Sequence, residues 1–572
     1  MYRKKWLTAS LLAFGIACGS FLGYSAYTDH ELTKNLETLF AVFRDAMLMD
    51  VDEPDPEQLI NGGIVGMLRS LDPYTEYIPE SSKEAFQFMT TGEYAGIGAL
   101  IQKAGNYTQV AQLYENAPAA IAGLRVGDTI VAINGEPLAG FSTNDVSAKL
   151  KGKENSQLTI SVNRPYAEKG LQFVVMRKRI QIPAVAYAYR TDNDIAYVNL
   201  YSFTAGCTKE IEQALVAMQS TEHPLRGLVL DLRGNTGGLL NEAVDLVSLF
   251  VAPGTKVADV KGRDPKNINT LYSAGKAPYK DLPMVVLVNR ESASSSEVVA
   301  GALQDLDRAL ILGEQTFGKG LVQTTRPLPY GGVFKITTAK YYTPSGRCIQ
   351  AIDYARKNAN GGVAAIPDSL MRAFQTIGGR TVYDGGGIWP DIPMTSQGYD
   401  PLVASLYINN AFYDYANRYQ QARKNIPSVT EFKLTAQDMS DFLALVKEKG
   451  YARKNTMFEE IQRLEKMGAE VDLADSLLTT EIFRLRNALD SAFFRYYRNH
   501  PERLEELLAQ EIVSRYYYRG GRIAFSLQSD SVFWRGVSLL QQPDSIAFYL
   551  KRSPLDTRRK SVGTMKKKPE LS

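Results

Sequence analysis

Histidine and cysteine are the scarce residues of this 572-residue chain, three of each. His30, His223 and His500 stand far apart, and none has another histidine or a cysteine within a few residues. That argues against a histidine-rich zinc centre. A Ser-His-Asp triad would have only three candidate bases, none in a setting such a triad uses. Cys18, Cys207 and Cys348 are too few for a disulfide framework. An excess of one charge is also lacking. Against 65 Lys and Arg stand 62 Asp and Glu, a net +3, so no global basic field favours nucleic acid. If the chain is a hydrolase, its general base is something other than histidine.

Long apolar runs are absent but for one. After Arg3, Lys4 and Lys5, the 22 residues from Trp6 to Tyr27 carry no charge. That length suits a single membrane span and is long for a cleaved signal, so residues 1–28 read as a signal anchor or a signal peptide. The basic cluster stays cytoplasmic and the rest is exported. Gly15-Ile16-Ala17-Cys18 makes only a weak lipoprotein-like site. The basic C-terminal end, with Lys566-Lys567-Lys568, reads as a solvated tail.

Patterning divides the remainder into four. Residues 29–87 have apolar positions at three- and four-residue spacing and predict helices, closed by the turn LDPYTEY at 71–77. Residues 88–178 alternate as short strands with glycine and asparagine turns, interrupted by a short helix at 118–124. Residues 179–400 alternate strand and helix: AYVNLYSF, CTKEIEQALVAMQS, GLVLDLR, LLNEAVDLVSLFV, MVVLVN, SEVVAGALQDL, ALILGE. Residues 401–572 are mainly helical and end in the basic tail. There Phe458, Ile461 and Leu464 share one face, as do Ile482, Leu485, Leu489, Phe493 and Tyr496.

The strand-rich module carries a candidate binding site. Tyr94-Ala95-Gly96-Ile97-Gly98 precedes an alternating strand, and its glycines can open a loop whose backbone N–H groups face outward. Such a loop captures a C-terminal carboxylate while the peptide adds to the sheet edge. Position 101 is Ile, which rules out a dinucleotide fingerprint. Downstream, the run from Asn116 through Ala122-Gly123-Leu124 and Gly127-Asp128-Thr129-Ile130 to Ile133-Asn134-Gly135 resembles the core of a PDZ domain. That resemblance implies recognition of free protein C-termini.

Three segments of the α/β region hold the residues that chemistry needs. Ser292-Ala293-Ser294-Ser295-Ser296-Glu297 lies between a buried strand and a helix, where unpaired N–H groups and the helix dipole favour an oxyanion. A serine there also suits helix capping, with Ser295 or Ser296 as the cap and another serine reacting. Lys319 is flanked by Gly318 and Gly320. To act as a base it must be neutral, so its ordinary pKa of about 10.4 has to fall by several units through desolvation. Phe317, Leu321 and Val322 offer the apolar surroundings. Gly237-Gly238, in the turn after Asp231, can present N–H groups to an oxyanion. Gly313–Lys319 has phosphate-loop spacing, but Gly320 replaces the magnesium-binding hydroxyl.

Taken together, Ser294-Ser295-Ser296-Glu297, Ala300-Gly301-Ala302-Leu303-Gln304-Asp305, Thr316-Phe317-Gly318-Lys319-Gly320, Gln323 and Tyr341-Tyr342-Thr343-Pro344-Ser345-Gly346-Arg347 closely resemble the carboxyl-terminal processing proteases, peptidase family S41. The resemblance covers roughly residues 30–400. It implies an α/β multidomain chain: a β/α core similar to the Clp protease–crotonase superfamily, an inserted PDZ domain, N-terminal helices and a helical C-terminal extension. By position, Ser294 is the nucleophile and Lys319, 25 residues on, the general base. Gln323 would orient the lysine. The backbone N–H of Ser295 and of Gly237 or Gly238 would form the oxyanion hole. Glu297 and Asp305 would support. Ser295 stands where the family has alanine, which makes it a rival nucleophile. No metal or cofactor is implied. The implied partners are protein or peptide substrates with free C-termini, the membrane through the N-terminal segment, and an adaptor or a second copy of the chain. The implied place is the periplasmic face of a bacterial envelope. Three rivals stay open: a scaffold binding C-termini without catalysis, an oligomerisation protein built on residues 401–572, and an esterase or amidase.

Overall fold

The computed structural model describes residues 29–552 except 168–169, 220–221, 265, 358–362, 396–399 and 472–475. The membrane-anchor reading of residues 1–28 and the basic tail fall outside them. Among the described residues no helix is long and apolar enough to cross a membrane. The chain forms two units, one of residues 29–80 and 323–337, the other of residues 81–322 and 338–552.

The smaller unit begins with the helices Asp29–Met49 and Pro56–Leu68. Asp55 caps the second by accepting the Glu57 N–H at 2.9 Å, and Pro56 occupies the first turn, where its missing N–H costs nothing. The 71–77 segment turns as expected: Asp72 accepts the N–H groups of Tyr74 and Thr75. It then departs from a simple turn, because Glu76–Ile78 is a strand pairing antiparallel with residues 333–335.

In the larger unit the strand-rich module is a sheet with Ala99–Ala104 at one end, followed by Tyr107–Leu113, Thr129–Ile133, Gln157–Asn163 and Leu171–Met176. Val110, Ile130, Ile160 and Val162 are its fully buried core. A second helix, Thr143–Leu150, was not legible in the alternation; Ser142 and Asp145 start it with a capping box. Asp128 is buried because it pairs with Arg164 at 2.7 Å and accepts the Arg125 N–H at 2.8 Å.

The α/β core is a six-stranded sheet in the order Val185–Arg190, Ile195–Leu200, Gly227–Asp231, Met284–Val288, Leu310–Gly313, Ile392–Pro393. The first pair is antiparallel and the rest are parallel. Strand alternation sorts its side chains to two faces. Val198, Leu228, Leu230, Val286 and Ile311 pack against the helices Cys207–Met218, Leu240–Ser248 and Ser295–Asp305. Tyr197, Val229, Val285, Leu287 and Leu312 face the other way, onto Phe533, Val537 and Leu540 of the helix Ser531–Leu540.

The C-terminal region is therefore part of the core as well as an extension of it. Its last helices close the second face of the sheet, and Asp530 both caps Ser531–Leu540 and pairs with Arg233 at 2.6 Å. Its other helices have their own core around Phe412, Phe442, Leu445, Leu508 and Ile512. The helical faces read from sequence are half right. Phe458, Ile461, Ile482 and Phe493 are buried, whereas Leu464 and Leu485 are exposed.

Candidate active site

Ser294 ends the connection from the buried strand Met284–Val288 and is the residue that caps the helix Ser295–Asp305. It sits at φ 56°, ψ −115°, a conformation that costs a non-glycine residue on the order of 1–3 kcal/mol and persists only where the surroundings hold it. They do hold it. The hydroxyls of Ser292, Ser295 and Ser296 donate to the carbonyls of Leu232, Gly238 and Asn235 at 2.8–2.9 Å. These bonds stitch the serine turn to the 232–238 turn. Of the four serines, Ser294 alone keeps its hydroxyl out of that stitching. Ser295, the rival, is 2% exposed with its hydroxyl engaged by Gly238. The capping role expected of Ser295 or Ser296 falls to Ser294 itself.

The glycine pair lies directly against this turn. A Cβ on Gly237 would stand 2.8 Å from both the Ser294 Cβ and the Ala293 oxygen. One on Gly238 would stand 2.3 Å from the Phe203 oxygen. The Gly237 N–H donates to Asn235 Oδ1 at 2.9 Å, while Asn235 Nδ2 donates to the Leu200 oxygen. The Gly237 N–H is thus already engaged within its own turn.

Lys319 lies in the connection between the strands Leu310–Gly313 and Leu321–Pro327. A Cβ on Gly318 would lie 2.3 Å from the Ala351 Cβ, and one on Gly320 would lie 2.9 Å from the Gln350 nitrogen. The flanking glycines thus admit the 350–351 backbone. Leu321 is buried beside the lysine, but Phe317, expected to help desolvate it, is 49% exposed.

Glu297 joins the two turns. It is fully buried and accepts four bonds: from the N–H of Ser294 at 2.9 Å, of Gly318 at 2.7 Å and of Lys319 at 2.8 Å, and from the Thr316 hydroxyl at 2.6 Å. Burial pushes its carboxyl up to about 6, against the opposing pull of those donors.

The remaining sequence candidates are placed elsewhere. Asp305 closes the far end of the Ser295–Asp305 helix, about 16 Å from Ser294 at 1.5 Å per residue. There it accepts the Ser345 N–H at 3.0 Å and pairs with buried Arg347 at 2.7 Å, holding the 343–347 turn. Gln323 belongs to the smaller unit, where its Nε2 donates to the Thr337 hydroxyl at 3.1 Å, and Thr337 donates to Asp72 at 3.2 Å. Of the supposed carboxylate loop, Tyr94, Ala95 and Gly96 are strand, paired antiparallel with residues 178–180. Only Ile97 and Gly98 form the loop proper. Gly98 is obligatory, at φ 75° with a would-be Cβ 2.2 Å from the Ala117 Cβ. The Tyr94 ring lies over Gly96, and its phenol faces the N–H groups of Gly98 and Ala99, with burial pushing its pKa up to about 12. Beyond the loop, Ala99–Ala104 is a terminal strand of its sheet.

Sequence reasoning gave no role to Asn235, Thr316 or Tyr341. Thr316 and Tyr341 stand inside the segments that carry the family resemblance, and Asn235 in the turn after Asp231, but only the fold shows what their side chains reach.

The model of "Peptidase family S41" matches residues 194–356, a PDZ-domain model matches 109–164, and "Probable PDZ-protease, C-terminal helical domain" matches 402–540. The last match extends the likeness into a region the sequence resemblance did not reach. The chain is 36% identical over 351 residues to a carboxy-terminal-processing protease of Bartonella bacilliformis, covering 61% of this chain and 78% of that one. It is 32% identical over 363 residues to a probable CtpA-like serine protease of Staphylococcus aureus, covering 61% and 71%. Among solved structures, the photosystem II D1 C-terminal processing protease is 28% identical over 62% of this chain and 86% of that one, with a TM-score of 0.34. The chain belongs to peptidase family S41, the carboxy-terminal-processing serine proteases, with an inserted PDZ domain and a C-terminal helical domain.

Proposed function

We propose that this protein is an endopeptidase of the bacterial cell envelope that cleaves exported proteins through a Ser294–Lys319 dyad after its PDZ domain has bound their C-termini. The observation that carries the dyad is the buried Glu297 carboxylate, which holds the backbones of Ser294 and Lys319 through adjacent hydrogen bonds. Neutral Lys319 takes the proton of Ser294 as its oxygen attacks the peptide carbonyl. The N–H groups of Ser295 and Gly238 stabilise the tetrahedral oxyanion. Collapse breaks the C–N bond, and protonated Lys319 gives its proton to the leaving amine. Water, deprotonated by the same lysine, then hydrolyses the acyl-enzyme. The envelope location rests on the basic cluster and uncharged run at the N-terminus.

The test incubates the full chain, Ser294→Ala and Lys319→Ala with an unfolded protein ending in an apolar or a charged C-terminus. Cleavage by the parent alone, faster for the apolar terminus, is expected. Equal cleavage by Ser294→Ala would overturn the dyad.

Tyr94 provides a separate test of the PDZ reading. Its phenol faces two N–H groups that a C-terminal carboxylate would need. Removing the hydroxyl in Tyr94→Phe is expected to tighten binding of an apolar, free-C-terminus peptide by about fivefold, the worth of one modest hydrogen bond. Fluorescence anisotropy measures this, and weaker binding would make the phenol a peptide contact.

A further inference from the structure

The nucleophile and the base come from turns 25 residues apart in sequence, on different elements, yet proton transfer needs them held to a few tenths of an ångström. We propose that Tyr341 is a positioning residue that sets this spacing by joining the backbone carbonyls of Ser294 and Lys319. The proposal rests on the dyad reading above and adds to it a residue that touches neither substrate nor the reacting atoms.

Tyr341 lies near the end of the strand Val333–Tyr342, paired with Val260. It is 2% exposed, and its own N–H donates to the Gly320 oxygen at 3.1 Å. Its hydroxyl donates to the Ser294 oxygen at 3.0 Å and, in a short bond, to the Lys319 oxygen. One proton serves two acceptors in a three-centre bond. A core tyrosine needs a single partner for its O–H, and any nearby carbonyl would serve. Here both acceptors belong to the two residues of the dyad.

Glu297 completes the arrangement. It takes the N–H groups of Ser294 and Lys319, while Tyr341 takes their C=O groups. The peptide groups of the two residues are thus fixed on both donor and acceptor sides. The Ser294 oxygen has further donors in the N–H groups of Glu297 and Val298, at 2.8 and 3.0 Å. Loss of the phenol therefore falls mainly on the lysine turn.

Tyr341→Phe keeps the ring and the strand packing while deleting the O–H. In the full chain its kcat is expected to fall about 10- to 100-fold with KM within about twofold, the pattern of a misplaced reacting group. Labelling of Ser294 by a fluorophosphonate should slow in parallel. The acid limb of kcat/KM should move to higher pH, because a loosened lysine is better solvated and harder to deprotonate. Tyr342→Phe is the control. That ring rests against Lys261 at 4.3 Å and should leave kcat and the pH profile unchanged.

A second variant covers a Tyr341→Phe that fails to fold. A difluorotyrosine at 341 keeps the shape, but its more acidic phenol ionises on the alkaline side and can then no longer donate. Activity should be lost there while the parent retains it. An unchanged kcat and pH profile in Tyr341→Phe, or an unchanged alkaline limb in the fluorinated protein, would overturn the positioning role. Ser294→Ala run alongside separates the two readings, since cleavage by that variant defeats the dyad whatever Tyr341 does.

Discussion

Gly237→Ala is expected to lower peptide cleavage by about 100-fold or more, with little change in how tightly peptides bind. The added methyl would lie 2.8 Å from the Ser294 Cβ and 3.0 Å from the Ser295 nitrogen, so it presses on the proposed nucleophile and on one proposed oxyanion donor together. Relief must come from the serine turn, because the Gly237 N–H is bonded to buried Asn235. Backbone strain adds to the effect, since Gly237 has φ 103°. Gly254→Ala separates the two causes. It also has positive φ, 77°, but nothing lies within 4 Å of its would-be Cβ. It should cost about 1 kcal/mol of stability and leave kcat intact. Equal activity losses in the two variants would show that strain alone, and not contact with Ser294, explains the effect.

Glu297→Ala should both unfold the protein more easily and silence it. Four donors would lose their buried acceptor at once. Unpaired buried donors cost about 1–3 kcal/mol each before relaxation, so a loss of about 3–5 kcal/mol in denaturant unfolding is expected. Glu297→Gln keeps the volume but turns an NH2 group toward two of those donors, and its kcat should fall about 100-fold.

The pH dependence follows from the same carboxylate. Its folded value of about 6 lies above the ordinary 4.5, so between these values the folded state holds more protons than the unfolded chain. The stabilising contribution of this group is full below pH 4.5 and is lost as pH rises through 6, an effect of about 2 kcal/mol. Activity should run the opposite way. Protonation removes an acceptor from the Ser294 and Lys319 N–H groups, so kcat should fall below about pH 6. Glu297→Gln should lack that break. A parent enzyme fully active well below pH 5 would show that the carboxylate's charge does not matter to the turns.

How much of this was legible in the sequence depends on the range of the interaction. Strand and helix order in the catalytic core follows from local periodicity, and the structure has Gly227–Asp231, Leu240–Ser248, Met284–Val288 and Ser295–Asp305 where alternation put them. The PDZ core was readable because its glycine turns are local. The helix Thr143–Leu150 was missed because its buried positions, Val146 and Leu150, are too few to show a period. The hairpin of Lys256–Gly262 and Ile268–Tyr272 was missed for a similar reason: charged and polar residues break its alternation. Position along the chain indicated Ser294, Lys319 and Glu297. It could not tell that Asp305 faces Arg347 at the other end of its helix, or that Gly237 has its N–H engaged. Nor could it tell that the helix Ser531–Leu540 covers the sheet, because that contact joins segments more than two hundred residues apart. The Tyr341 bridge is of the same long-range kind.

Covalent trapping of the nucleophile tests the central claim most directly. The full chain would be treated with a fluorophosphonate, digested, and the adduct located by tandem mass spectrometry, in the parent and in Lys319→Ala. The expected result is a single adduct on Ser294, formed at least about 100-fold more slowly without the lysine. An adduct on Ser295 or on a serine outside the 292–296 turn, or labelling of Ser294 at an undiminished rate in Lys319→Ala, would contradict the Ser294–Lys319 dyad.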